Sequence, residues 1–135
     1  MENLTITRPD DWHVHLREGT VLKDACRDLS RYIGRAVVMP NLSKPVTNLK
    51  MAKEYYNDIK AAMELFPRQF TPLMTLYLTD KTSNQEIVEA AKSEIVCGIK
   101  LYPSGATTNS QSGVVDISSL FPIFEVMQRE KLNLM

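Results

Sequence analysis

Two hydrophobic periods alternate along this chain, and each change of period marks the end of a predicted element. Over 12–17 the period is two, so Trp12, Val14 and Leu16 share one side and His13, His15 and Arg17 the other. That pattern predicts a strand with one packed face, with a shorter strand before it at 4–7. Helical spacing follows over 21–33, where Val21, Leu22, Ala25, Cys26, Leu29, Tyr32 and Ile33 line one face and Gly34 sits in the stop position. Residues 35–39 form a continuous apolar run of the kind buried on both faces of a parallel sheet, and Pro40 ends it.

The same alternation continues. A helix is predicted over 49–66 with Thr47 or Asn48 as its cap, then a strand over 71–78, a short helix over 84–93 and a strand over 95–102. A long polar loop occupies 103–115. A fourth helix over 116–130 tolerates Pro122 early in its course, and 132–135 begins a fifth strand. Strand and helix in strict turn are the signature of parallel βα units, here four and the start of a fifth. Two architectures fit. One is a (β/α)8 TIM-barrel type of α/β fold, of which this chain supplies about the first four βα units. The other is an open doubly wound sheet. No repeat, low-complexity tract or linker divides the chain, so residues 1–135 read as one unit with no second domain.

Composition narrows the function classes. The 135 residues are 44% hydrophobic and 24% charged with a formal net charge of zero, which gives no support to nucleic-acid or anionic-membrane binding. No apolar run approaches membrane-spanning length, and Met1-Glu2-Asn3 is unlike the basic start of a signal peptide, so a cytoplasmic protein is expected. Cys26 and Cys97 fit no metal or redox spacing and are expected as buried structural thiols. No Gly-rich phosphate loop follows the first strand.

In parallel βα folds the chemistry gathers at the carboxyl ends of the strands. Those positions carry His13, His15 and Arg17, then Asn41, Tyr77, Lys100 and Tyr102, with Ser104, Thr107, Thr108 and Asn109 in the polar loop. His13 and His15 are the only histidines. On one strand face they stand roughly 7 Å apart along the backbone, and two neutral imidazoles so placed can turn toward one metal ion, zinc being well suited. The alternative is a surface strand whose polar face includes histidines. Lys100 ends an otherwise apolar run, where an unpaired ammonium is costly to bury. A lysine neutral beside a metal can take up carbon dioxide as a carbamate, an anionic two-oxygen ligand; alternatively it snorkels to the strand end. Asn41 has a turn-capping alternative after Pro40, and Tyr77 and Tyr102 one as core-edge residues.

His13-x-His15 on a first strand, followed by an apolar strand ending in Lys100, resembles the cyclic amidohydrolases of the metal-dependent amidohydrolase superfamily. Longer strings resemble the bacterial dihydroorotases of the single-domain type: Arg8 through Arg17, Val38-Met39-Pro40-Asn41-Leu42, Pro45-Val46-Thr47, Thr71 through Asp80, Lys100-Leu101-Tyr102-Pro103 and Ala106-Thr107-Thr108-Asn109. The resemblance covers essentially the whole chain. It implies two zinc ions per complete site, His13 and His15 holding one and carboxylated Lys100 bridging to the second. It implies that Arg17 and Asn41 hold a substrate carboxylate and that Thr107 and Thr108 ride on a mobile lid. The implied reaction is reversible, metal-assisted ring opening of dihydroorotate to N-carbamoyl-L-aspartate in de novo pyrimidine biosynthesis. A homodimer is implied for the complete protein.

The family carries further histidines and an aspartate, both ligand and proton shuttle, after the matched region. There is no third histidine here, and no acidic residue stands in the matching context. No catalytic acid–base residue is therefore identifiable, a contribution typically worth about 10²–10⁴-fold. The expectation is the amino-terminal half of a barrel, with little catalysis by itself and poor solubility from exposed edge strands. Two other readings remain open: a related cyclic amidohydrolase of hydantoin or allantoin rings, or a non-catalytic remnant acting as a binding or structural partner.

Overall fold

Strand and helix alternate along the chain as β1 (Asp10–Val14), α1 (Gly19–Ser30), β2 (Arg35–Val38), α2 (Leu49–Met63), β3 (Thr71–Tyr77), α3 (Asn84–Ala91), β4 (Val96–Lys100), α4 (Phe121–Glu130) and β5 (Asn133–Leu134). The structure is a computed structural model and describes residues 3–135. Met1 and Glu2, part of the segment read against a signal peptide, lie outside the described residues. All neighbouring strands are parallel and the sheet order is β1-β2-β3-β4-β5. A doubly wound sheet reverses its strand order and carries helices on both faces. Here α1 packs on α2, α2 on α3 and α3 on α4, so the helices form one continuous layer. Singly wound order with one helix layer is the arc of a barrel, the first of the two expected architectures.

The two faces of the sheet bury different residues. Leu16, Val38, Met74, Leu76, Leu78 and Ile99 meet Cys26, Ala52, Ile59, Met63, Ile87 and Val126 from the helices in the main core. Val37, Met39, Tyr77 and Tyr102 are buried too, but outside that cluster, on the concave side. This double burial is why 35–39 reads as a continuous apolar run.

Several expected boundaries move. No strand forms at 4–7, and Leu4 and Ile6 are exposed. Instead the segment hooks under the sheet, where Gly34 donates to the Pro9 carbonyl and Arg8 donates to the carbonyls of Ser30, Ile33 and Gln69. β1 begins two residues earlier than expected and ends at Val14, so Arg17 is not on the strand and instead adopts a left-handed φ of +62°. Trp12 was expected on a packed face but is 67% exposed. β1 is the outermost strand, and the helix layer begins only with α1. Asp10 ties this edge down through paired hydrogen bonds from Arg35 Nε at 3.1 Å.

Helix ends also differ. α1 spans Gly19–Ser30 rather than 21–33, and α2 stops at Met63, where a tight turn precedes Pro67. Asn48, not Thr47, caps α2 by accepting from Met51 N. The expected fourth helix is two pieces. A 3-10 turn at Ile117–Leu120 leads into α4, because Pro122 lacks an N–H and fits only a first turn. The strand expected over 132–135 has two residues, lying so close to β4 that a Cβ on Gly98 would sit 2.9 Å from the Asn133 carbonyl. Cys26 is buried as expected, while Cys97 is only partly so. Among the described residues no helix is long and apolar enough to cross a membrane.

Candidate metal and substrate site

The carboxyl ends of β1, β2, β3 and β4 meet along one rim, and the polar candidates gather there. His13 and His15 flank the end of β1. Their Nε2 atoms lie 3.2 Å apart, with ring centroids at 5.1 Å and planes inclined by 51°. His13 N is also held by the Asp11 carboxylate at 2.9 Å. Tetrahedral ligands about 2.0–2.1 Å from zinc stand roughly 3.3–3.4 Å from each other. The two Nε2 atoms therefore already have the separation of adjacent ligands to one ion, and the donor set fits zinc. They are two ligands only: no group of three His, Cys, Asp or Glu side chains able to hold a metal occurs among the described residues.

Burial first, then the charge of Arg17, hold the His15 imidazole below its usual pKa, with smaller contributions from His13 and Lys100. The Asn41 amide pulls the other way. Yet no well-formed hydrogen bond joins the two, since His15 Nδ1 and Asn41 Oδ1 are both buried without a partner. A neutral imidazole is the form that binds metal. Arg17 reaches this cluster by its turn rather than by strand alternation; its carbonyl accepts from the Tyr55 hydroxyl at 2.8 Å.

Asn41 lies just past β2, 2% exposed. Its Nδ2 donates to the Thr108 carbonyl at 3.0 Å, and Asn109 Nδ2 returns a hydrogen bond to the Asn41 carbonyl at 3.2 Å. Loop 103–115 is thus folded down onto β2. Thr107 and Thr108 are exposed at its crest. Ser110, fully buried, accepts from Thr107 N at 2.8 Å and donates to Thr107 O at 2.6 Å. Ser110 escaped the reading of the sequence because a serine in a polar loop carries no periodic signal. Ser104, another loop candidate, points away to the Gln111 carbonyl.

Lys100 closes β4, partly buried, with its Nζ 5.3 Å from the centre of the Tyr102 ring. Tyr102 in turn packs on Tyr77 with centroids 5.1 Å apart. Tyr77 donates to the Asn109 carbonyl at 3.4 Å, whereas the Tyr102 hydroxyl is buried with no partner. Burial pushes the Tyr102 phenol up to about 12, so it stays a donor. Three orphaned polar atoms, on His15, Asn41 and Tyr102, thus mark this rim as built to meet something else. Two clefts of about 580 and 510 Å³ do not include these side chains: the first lies between α1 and α2, the second among the loops that follow β2, β3 and β4. The rim is open because β1 is an edge.

Comparison with known proteins gives a consistent result. A scan against protein-family models finds none that matches. The chain is 57% identical over 128 residues to dihydroorotases of Shewanella sp. strain ANA-3 and Shewanella oneidensis, covering 95% of this chain and 37% of each of theirs. Among solved structures it is similar to the Saccharomyces cerevisiae dihydroorotase in complex with 5-fluoroorotic acid, with TM-score 0.84 and 36% identity over 93% of this chain and 34% of that one. It is equally similar to the Campylobacter jejuni dihydroorotase, with TM-score 0.84 and 37% identity over 98% of this chain and 40% of that one.

Proposed function

As a dihydroorotase homologue that spans 37% of the length of its curated relatives, the chain, we propose, supplies the first-metal and substrate-carboxylate side of a zinc-dependent dihydroorotase site. The observation that carries this reading is the 3.2 Å approach of His13 Nε2 and His15 Nε2. The two imidazoles would hold one zinc, and Lys100, as its carbamate, would bridge to a second. Zinc, when bound, supplies Lewis-acid polarisation of a ring carbonyl and activation of water.

The chain's own residues bind and orient. Arg17 offers a planar pair of donors and Asn41 the second N–H of its amide nitrogen, the first being given to the Thr108 carbonyl, a combination suited to a carboxylate. The orphaned Tyr102 hydroxyl is a further donor toward the same rim. Thr107 and Thr108 would close over dihydroorotate from the loop, shutting out bulk solvent while a single water is consumed in opening the ring to N-carbamoyl-L-aspartate. As an uncarboxylated ammonium, Lys100 rests against the negative face of Tyr102. Carboxylation would add carbon dioxide to the neutral amine and release a proton, reversing the side chain's charge and removing its attraction to the ring, and the carbamate would supply two anionic oxygens able to hold metal. A carboxylate-bearing ring suits the Arg17 and Asn41 pair better than a plain hydantoin does. Homodimerisation of the complete protein rests on the resemblance alone and is read by light scattering.

Zinc titration against a chromophoric chelator tests the reading. The 135-residue chain binds zinc, and His13→Ala or His15→Ala weakens binding by at least about tenfold, one strong ligand of a small set being lost. Zinc affinity unchanged from that of the unsubstituted chain in both variants would overturn it. In a ring-opening assay with zinc and bicarbonate, the chain alone turns over little dihydroorotate, for want of an acid–base group.

A further inference from the structure

At the end of the sheet opposite the histidines, the last turn of α1 and the turn after α2 enclose a cleft of about 350 Å³ lined by Arg27, Ser30, Arg31, Phe66, Pro67 and Arg68. We propose that this cleft binds a phosphate monoester whose organic part is flat and apolar. The inference is independent of the rim chemistry.

Every charge lining the cleft is a guanidinium. Arg27 is shared between Asp24 at 3.0 Å and Asp28 at 3.3 Å, and Arg31 reaches Asp28 only at 3.8 Å. These exposed pairs hold their partners weakly. Arg68 makes no ion pair among the described residues. Ser30 is 3% exposed, and its hydroxyl is buried with no partner. Such an unmatched donor is uncommon in a helix, where the preceding turn ordinarily offers a carbonyl.

A helix carboxyl end ordinarily repels anions. Here Arg8 cancels that objection, since its guanidinium covers the carbonyls of Ser30 and Ile33 from behind and adds a fourth positive charge. Three guanidinium forks and a hydroxyl exceed what a carboxylate's two oxygens use, and suit the three terminal oxygens of a phosphate monoester. Phe66, half-buried, and Pro67 form the wall beside them and suit a flat apolar group.

Phenyl phosphate titrated into the ¹⁵N-labelled chain provides the test, with inorganic phosphate and phenol as separate probes. Saturable shifts are expected at amides 27–31 and 66–68, weakening as salt rises. Arg68→Ala, an exposed position, is expected to lower affinity about tenfold and Ser30→Ala to lower it less, both with unchanged circular dichroism. His13→Ala leaves binding as it was. An unchanged affinity in Arg68→Ala, or no saturation at millimolar phenyl phosphate in the folded chain, would sink the proposal. Equal binding of inorganic phosphate would also overturn it, showing counter-ion association without recognition of the ring.

Discussion

At the scale of single residues, the rim is defined by polar atoms that the chain itself leaves unmatched. Asn41 shows how such a residue differs from an ordinary buried amide. Its Nδ2 is used by the Thr108 carbonyl while its Oδ1 faces nothing. Asn41→Ala removes one hydrogen bond worth about 0.5–1.5 kcal/mol net and, with it, one orphaned acceptor whose burial is costly. The two changes oppose each other, so global stability shifts by less than about 1 kcal/mol. The loop, however, loses an anchor, and amides over 104–113 exchange faster by hydrogen–deuterium measurement. A large loss of stability with loop exchange unchanged would make Asn41 a structural residue. The residue types here were readable in order along the chain, but their mutual contact was not. His13 and His15 are neighbours on any extended strand, whereas Asn41 and Thr108 meet across 67 positions.

Among the elements, the loop 103–115 owes its shape to backbone packing. Val114 N donates to Tyr102 O at 2.8 Å, Ser104 N donates back to Val114 O at 2.9 Å, and the Asp80 carboxylate accepts from Val115 N at 3.3 Å. Gly113 sits inside this clasp, where a Cβ would lie 2.4 Å from the Tyr102 carbonyl and 2.9 Å from that of Ser110. Both obstacles are backbone and cannot swing aside. Gly113→Ala is therefore expected to cost about 1–3 kcal/mol, as overpacking does. Gly105→Ala, in open space at φ +73°, costs about 1 kcal/mol through its backbone conformation alone. Denaturation midpoints of the two variants decide the order, and the reverse ranking would mean that the clasp yields. The alternation of elements was legible because buried parallel strands and amphipathic helices carry different periods. Their ends were less so. Pro122, Pro67 and the turn of Arg17 each shift a boundary through local backbone constraints, which hydrophobic spacing does not register.

For the molecule as a whole, one curved sheet with helices on its outer face has β1 and β5 as its outermost strands among the described residues, with Trp12 67% and Leu134 49% exposed beside them. Unpaired parallel edges with apolar side chains invite association. The chain is expected to self-associate as its concentration rises, and Leu134→Lys is expected to shift light-scattering masses toward the monomer. No change in mass would place the contact elsewhere. The sequence by itself determined the βα alternation, the dyad of histidines and the strings shared with dihydroorotases, since each is written in neighbouring residues and their periods. Only the tertiary structure decided that the strands follow 1-2-3-4-5 beneath a single helix layer, that Trp12 faces outward and that Arg17 turns back toward His15. It also decided that Arg8 covers the end of α1. These depend on which surfaces meet across the fold, and non-local packing leaves no period in the chain to read.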